Sequence, residues 1–341
     1  MGNGPMPDID AVGTIYYNLH GTWLAVGWDA AAVGEQLQVL SAYFGLEACP
    51  EVPPECHVRL TFLTDTPPLS IPTHASCVAQ QHGLQVWQAD SQLYVRDGVC
   101  VVHLDPASRT GLGTLPPTDE QASPTLSMDL LLYSLLLLLR YQGFYPEHAA
   151  CVAQNGVGCL LVGDSGSGKS TLTLSLVQQG WQYLADDAIL LRSCRDGIEA
   201  MPLRRELCLA PEATRAFPDT LAHWQPGPWT GDLKKRLDVQ ALYPAQVCET
   251  CLPDLLLFPT IIDAPQSQLN PIGKAEALFR LIQQSALVMV EPQMAPGHLD
   301  VLARMVRQTR HYQLLAGQDL ARDPRRIASL LEGVQQPAPC I

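Results

Sequence analysis

The sequence predicts an α/β fold built around a phosphate-binding loop, with a β-rich region in front of it. Three observations carry this. Gly163-Asp164-Ser165-Gly166-Ser167-Gly168-Lys169-Ser170-Thr171 is a complete GxxxxGK[ST] loop between the apolar run Cys159-Leu160-Leu161-Val162 and a helix-like stretch. The first 125 residues break into short strand-like runs separated by Pro-rich pieces. Beyond the loop, strand and amphipathic-helix patterns follow one another. The division expected is a β-rich accessory domain at 1–125 and a nucleotide-binding catalytic domain at 126–341.

In the first region the strands are read at 57–63, 84–88, 92–96 and 99–104. Asp97-Gly98 is read as a type I′ hairpin turn, in which both central residues take positive φ. Prolines at 50–54 and 67–72 exclude a long helix there. The segment 110–124, rich in Gly, Pro, Thr and Ser, reads as the linker, and a Leu-rich helix at 127–141 leads into the nucleotide domain. A hairpin then runs 148–154 and 158–162 around Asn155-Gly156, and its second strand delivers the loop. The loop's helix, 169–179, ends at Gly180, and a strand at 181–185 stops at Asp186-Asp187. A buried strand at 255–262 and helices at 274–284, 297–309 and 323–331 complete the reading.

Composition narrows the function classes. The chain has 341 residues, 47% of them hydrophobic, enough for a substantial core. Net charge is −13, and residues 1–128 hold thirteen acids against three arginines, which disfavours nucleic acid as a partner. The acidic front suits either a basic peptide partner or a solvated surface. The most apolar stretch, 130–139, is about half of the roughly 20 residues a spanning helix needs, so no membrane partner is expected. Met1-Gly2-Asn3-Gly4-Pro5 lacks the features of an export signal, and a cytoplasmic location is expected. Eleven cysteines at irregular spacing suit reduced thiols. Cys248-x-x-Cys251 could bind zinc or do redox chemistry, yet it lacks a second Cys or His pair at ligand spacing.

The chemistry gathers at the loop. Its small residues let successive N–H groups turn inward on phosphate oxygens, which makes Gly163, Asp164, Ser165, Gly166, Ser167, Gly168, Lys169, Ser170 and Thr171 the expected triphosphate set. Lys169 neutralises charge at the β/γ position, and the Ser170 hydroxyl can complete a Mg2+ shell. Asp186 lies seventeen residues past Lys169, closer than most P-loop folds place their metal-binding acid. Neighbouring strand residues face opposite sides, so both carboxylates reach one site only at a bend or a strand end; otherwise the pair caps a turn. Two of the chain's four lysines sit in Lys234-Lys235-Arg236, after the Gly/Pro loop 227–231. They read as a phosphate or substrate clamp or as a solvated basic turn.

These residues resemble the HPr kinase/phosphorylase family, serine kinases related in fold to phosphoenolpyruvate carboxykinase. The match lies in His148, Gly156-Val157-Gly158, the loop and Ala185-Asp186-Asp187, and covers about 145–192. The resemblance implies ATP and Mg2+ as cofactors and a serine-containing peptide or small protein as acceptor. It makes Asp186 the acceptor of the hydroxyl proton and Asp187 and Ser170 metal contacts, with Glu206 as a further one. It places His148 near the reacting phosphate, where a lone histidine otherwise reads as a strand-end residue; Lys235 and Arg236 are expected on the nucleotide from the clamp reading. It also implies a possible homo-oligomer. The family's Glu-Ile-Arg-Gly stretch is not recognisable, which puts the reverse reaction in doubt and makes the chain look like a divergent branch that includes kinases of lasso-peptide pathways. A nucleotide-binding switch or ATPase, and a small-molecule kinase on the same fold, stand as alternatives.

Overall fold

The computed structural model describes residues 13–31, 33–37, 46–64, 66–81, 83–115, 126–226, 234–285, 287–288 and 290–335. The loop at 227–231 and the first residues of the chain lie outside them. The chain divides into two compact units, Met1–Gly143 and Phe144–Ile341.

The first unit is a nine-stranded sheet. Its strands are β1 (Gly13–Leu19), β2 (Thr22–Trp28), β3 (Ala48–Cys49), β4 (Val58–Leu63), β5 (Ser76–Gln81), β6 (Leu84–Ala89), β7 (Gln92–Arg96), β8 (Val101–Asp105) and β9 (Thr110–Thr114), in the order β3-β1-β2-β4-β9-β8-β7-β6-β5. Helix α1 (Met128–Leu139) starts at Ser127, whose hydroxyl caps Leu130 N–H, and packs on β4, β7 and β8. Its leucines are buried almost all round, so it belongs with this unit's core, and the division falls at 143/144 instead of 125/126.

Two readings of this region are corrected. Residues 110–114 are a strand, not a linker, paired in parallel with β4 and antiparallel with β8; residues 116–124 of that reading lie outside the described set. Gly111 and Gly113 explain the linker-like composition: a Cβ on either would stand 2.5 Å from Leu60 or Phe62, so glycine here serves close packing. The Asp97-Gly98 turn is not type I′, because only Gly98 has positive φ. The Asp97 carboxylate instead accepts from the N–H groups of Val99 and Cys100 and holds the loop from its side chain.

The second unit opens with β10 (Tyr145–Glu147), β11 (Ala149–Gln154) and β12 (Val157–Val162), then helix α2 (Lys169–Val177). It continues through β13 (Gln182–Ala185), β14 (Ile189–Cys194), β15 (Gly197–Pro202), β16 (Leu207–Leu209), β17 (Gln225–Pro226) and β18 (Lys235–Leu237). Last come β19 (Pro253–Ile261), β20 (Gln268–Pro271), α3 (Lys274–Gln284), α4 (Ala295–Gln308), β21 (Arg310–Ala316) and α5 (Arg326–Gln335). The central sheet runs β13-β11-β12-β19-β21-β20, with β12, β19 and β21 parallel. Alternate residues of its strands feed two cores. Leu161, Leu255 and Leu257 face α2 and α5, while Leu160, Val162 and Leu256 face α3 and α4. A sheet with helices on both faces and a phosphate loop at a strand's carboxyl end is the α/β architecture expected. The β14–β15 hairpin, with Asp196-Gly197 at its turn, and β21 are strands beyond those expected from the sequence.

Candidate active site

The hairpin β11–β12 aligns the site. Asn155 and Gly156 both take positive φ (53° and 79°), the two-residue turn that fixes register, so Ala149 pairs with Val162 and His148 stands beside the start of the phosphate loop. Strand β13 joins β11 on the far side, with Ala185 opposite Cys151, and ends there, just before Asp186. The loop, His148 and the two acids therefore meet at one end of three adjacent strands. The loop turns on Gly166 and Gly168, at φ 84° and 97°, where any side chain would be strained. Gly168 caps α2, so the helix's first N–H groups face the loop.

A chain of polar contacts links the cradle to the acids. The Lys169 ammonium donates to the carbonyls of Gly163 and Asp164 and lies 3.2 Å from His148 Nε2. His148 Nδ1 stands 3.3 Å from Asp187 Oδ1. A neutral ring protonated on Nδ1 satisfies both neighbours, accepting from the lysine and donating to the carboxylate. Burial first, with Lys169 adding to it, depresses the His148 pKa against the pull of Asp187. Burial likewise lowers Lys169, opposed by Asp187 and Asp186.

The two carboxylates differ sharply. Asp186 is 1% exposed and Asp187's side chain 42%. Asp186 Oδ2 accepts from Cys208 N–H at 3.1 Å, whereas Oδ1 is buried with no hydrogen-bond partner. Burial, then the charge of Asp187, pushes Asp186 up to about 7; the Cys208 amide, the Ser170 hydroxyl and Lys169 work the other way. An unpartnered buried carboxylate oxygen beside a serine hydroxyl, with a second carboxylate next in the chain, suits a hard cation that takes its remaining ligands from phosphate and water. The donor set fits Mg2+.

Other expected residues are placed differently. Glu206 is held between arginines, Oε1 2.7 Å from Arg236 and Oε2 3.4 Å from Arg204, so Glu206 and Arg236 are engaged with each other. Lys235 is exposed on β18. It is Lys234 whose charge reaches the centre, lowering both His148 and Lys169. Cys251 Sγ lies 3.2 Å from Cys151 Sγ, and burial followed by the neighbouring thiols pushes Cys151 well up. Among the described residues no group of three His, Cys, Asp or Glu side chains is set to hold a metal, so the CxxC pair lacks the further ligands zinc needs.

Residues invisible to sequence reasoning complete the surroundings. Gln284 donates to Asp164 Oδ1 at 2.7 Å while its carbonyl accepts from His148 N–H, tying α3 to both halves of the site. Behind His148, Glu147 is 3% exposed with neither carboxylate oxygen hydrogen-bonded, and burial holds its pKa well above the ordinary value. Nothing in the spacing of 147, 284 and 164 announces these contacts.

The region that builds this centre matches known proteins. Residues 145–201 match the family of the HPr Serine kinase C-terminal domain. This part of the chain is HPr-kinase-like. Similar curated proteins include HPr kinase/phosphorylase of Chlorobium phaeobacteroides (strain BS1), 39% identical over 88 residues, which are 26% of this chain and 24% of the relative. The enzyme of the same name from Prosthecochloris aestuarii (strain DSM 271 / SK 413) is 44% identical over 88 residues, again 26% and 24%. The chain thus spans about a quarter of the length of these relatives. The Hpr(Ser) kinase/phosphatase structure from Coxiella burnetii aligns at TM-score 0.27 and 15% identity over 55% of this chain and 97% of that one, too distant a likeness to build on. No helix among the described residues is long and apolar enough to cross a membrane.

Proposed function

We propose that this protein transfers the γ-phosphate of ATP to a serine or threonine hydroxyl of a peptide or small protein. The observation that supports it best is the chain Lys169–His148–Asp187, which joins a triphosphate cradle to an acid pair through one imidazole. Phosphoryl transfer asks chiefly for charge neutralisation, in-line positioning and one carboxylate to take the hydroxyl proton. The matched relatives carry the name kinase/phosphorylase.

In this reading the loop amides and Lys169 bind the triphosphate, and the ammonium exchanges its contacts with Gly163 and Asp164 for phosphate oxygens. Ser170 and Asp187 hold Mg2+, which when bound neutralises charge on the β- and γ-oxygens. His148 keeps Lys169 and Asp187 oriented. Asp186, fixed through Oδ2 by the Cys208 amide, receives the hydroxyl proton on Oδ1. One observation favours a second division of labour: Asp187 is the exposed carboxylate and Asp186 the covered one, which suits Asp187 as base and Asp186 as metal ligand.

An acceptor encoded beside the gene, as in lasso-peptide pathways, a cytoplasmic location and a homo-oligomeric assembly belong to the same proposal. The test is incubation with γ-labelled ATP and the peptides encoded near the gene. Label on a serine-containing peptide supports a kinase; release of free phosphate with every peptide unlabelled supports the ATPase alternative.

A further inference from the structure

The transfer chemistry leaves the thiols of the second unit unused. Cys248 and Cys251 pack against the core on the α3/α4 face of the central sheet, the core to which Cys151 of β11 belongs, whereas Cys159 on β12 faces the other core. Three thiols therefore share one side of the sheet, and the geometry sorts them. Cys251 Sγ is 3.2 Å from Cys151 Sγ, although the two residues are 100 apart in the chain. Cys248 is engaged elsewhere: its amide donates to the Tyr183 carbonyl at 2.9 Å and its thiol to the same oxygen at 3.5 Å.

The backbone holds both members of the closer pair. Cys151 lies between two strands, opposite Leu160 of β12 and Ala185 of β13. Cys251 exchanges both backbone hydrogen bonds with Ala200 of β15, at 2.8 and 3.0 Å. Gly158 leaves room for the sulfur, since a Cβ there would stand 3.0 Å from Cys251 Sγ. Sulfurs in a disulfide are about 2.05 Å apart, so the pair closes by about 1 Å of side-chain movement with the strands in place. Exposure sets the order of events. Cys151 is fully buried and Cys251 partly exposed, so Cys251 meets an oxidant first and Cys151 waits behind it.

We propose that Cys151 and Cys251 form a reversible disulfide site, closed by hydrogen peroxide and reopened by a dithiol. The Cys251 thiolate takes one oxygen from the peroxide and becomes a sulfenic acid, and the other oxygen leaves as water. The Cys151 sulfur then attacks the sulfenyl sulfur: the S–S bond forms, the S–O bond breaks, and the hydroxide departs as water with the Cys151 proton. Two thiols lose two electrons, and the peroxide is reduced to two waters. The ring so closed contains the phosphate loop and both Asp186 and Asp187. It restrains the unfolded chain over the whole stretch that builds cradle and acids.

The test exposes the folded full chain to limiting hydrogen peroxide, blocks the remaining thiols with iodoacetamide after denaturation, and maps linked peptides by mass spectrometry without reduction. A Cys151–Cys251 link that dithiothreitol removes is expected. The oxidised chain should melt about 5 °C or more above the reduced one. Cys248→Ser should keep both the link and the gain, and Cys251→Ser should lose both. Should Cys251→Ser not fold, the wild-type map and Cys248→Ser still decide. Recovery of Cys151 wholly as blocked thiol, with Cys251 unlinked or joined to Cys248, would overturn the proposal. So would a link that forms only in urea-unfolded chain, or one that lowers the melting temperature.

Discussion

The two flanks of the phosphate loop are built from opposite materials. On the β11/β13 flank, Lys169, His148, Asp186 and Asp187 crowd ionisable groups into a partly covered space, and burial shifts three of them from their ordinary values. On the β19 flank a cavity is lined by the loop residues 163–167, by Phe258, Pro259 and Ile261, by three glutamine amides, and by Arg280 layered on Phe258. The contrast separates a charged, partly covered centre from a mostly neutral lining. Charges removed from water can polarise a reacting phosphate, at a cost in stability.

Loss of the cradle lysine is the largest break in this contrast. Lys169→Ala removes the ammonium that bridges the loop carbonyls and His148, and nucleotide turnover should fall about a thousandfold or more, measured as label transfer or phosphate release. Next come the acids. Asp186→Asn should cost about a hundredfold to ten-thousandfold in kcat with ATP affinity near wild type, whereas Asp187→Asn should chiefly raise the Mg2+ concentration needed. The reverse pattern, kcat lost in Asp187→Asn and Mg2+ dependence shifted in Asp186→Asn, would exchange the two roles.

The smallest expected effect concerns the buried acid behind His148. Because burial raises Glu147's folded pKa above its unfolded value of 4.5, the stability this group contributes is present below that pH and lost as pH rises toward the folded pKa. Glu147→Gln escapes the loss. Its melting temperature should exceed that of the wild type by about 3 °C or more near pH 8, with the gap closing on acidification, as followed by calorimetry across pH. A gap independent of pH would show that the Glu147 carboxyl does not titrate in this way.

The flanks also differ in how far the sequence disclosed them. The loop and Asp186-Asp187 were legible because each belongs to a local device, a glycine-punctuated loop and a strand end; His148 stood out only through the resemblance, and the turn at Asn155 and Gly156 sets it beside the loop. The cavity flank was not, since Phe258, Arg280 and Gln313 meet only through the parallel pairing of β19 with β21 and the packing of α3. The same limit explains the clamp. Sequence order singled out Lys235 and Arg236, yet strand β18 leaves Lys235 exposed and turns Arg236 to Glu206, while the charge felt at the centre is that of Lys234. In the first unit, Gly111 and Gly113 read as linker because the leucine and phenylalanine side chains that require them come from strands far away in sequence.

The central claim is that the cradle and the acid pair act as one transfer centre. Single-turnover label transfer from γ-labelled ATP to a serine-containing acceptor peptide, with wild type and Asp186→Asn side by side and ATP affinity measured on both, tests it most directly. A fall of at least about a hundredfold in the transfer rate of Asp186→Asn, at nearly unchanged affinity, is expected. Transfer at the wild-type rate by both Asp186→Asn and Asp187→Asn would contradict it.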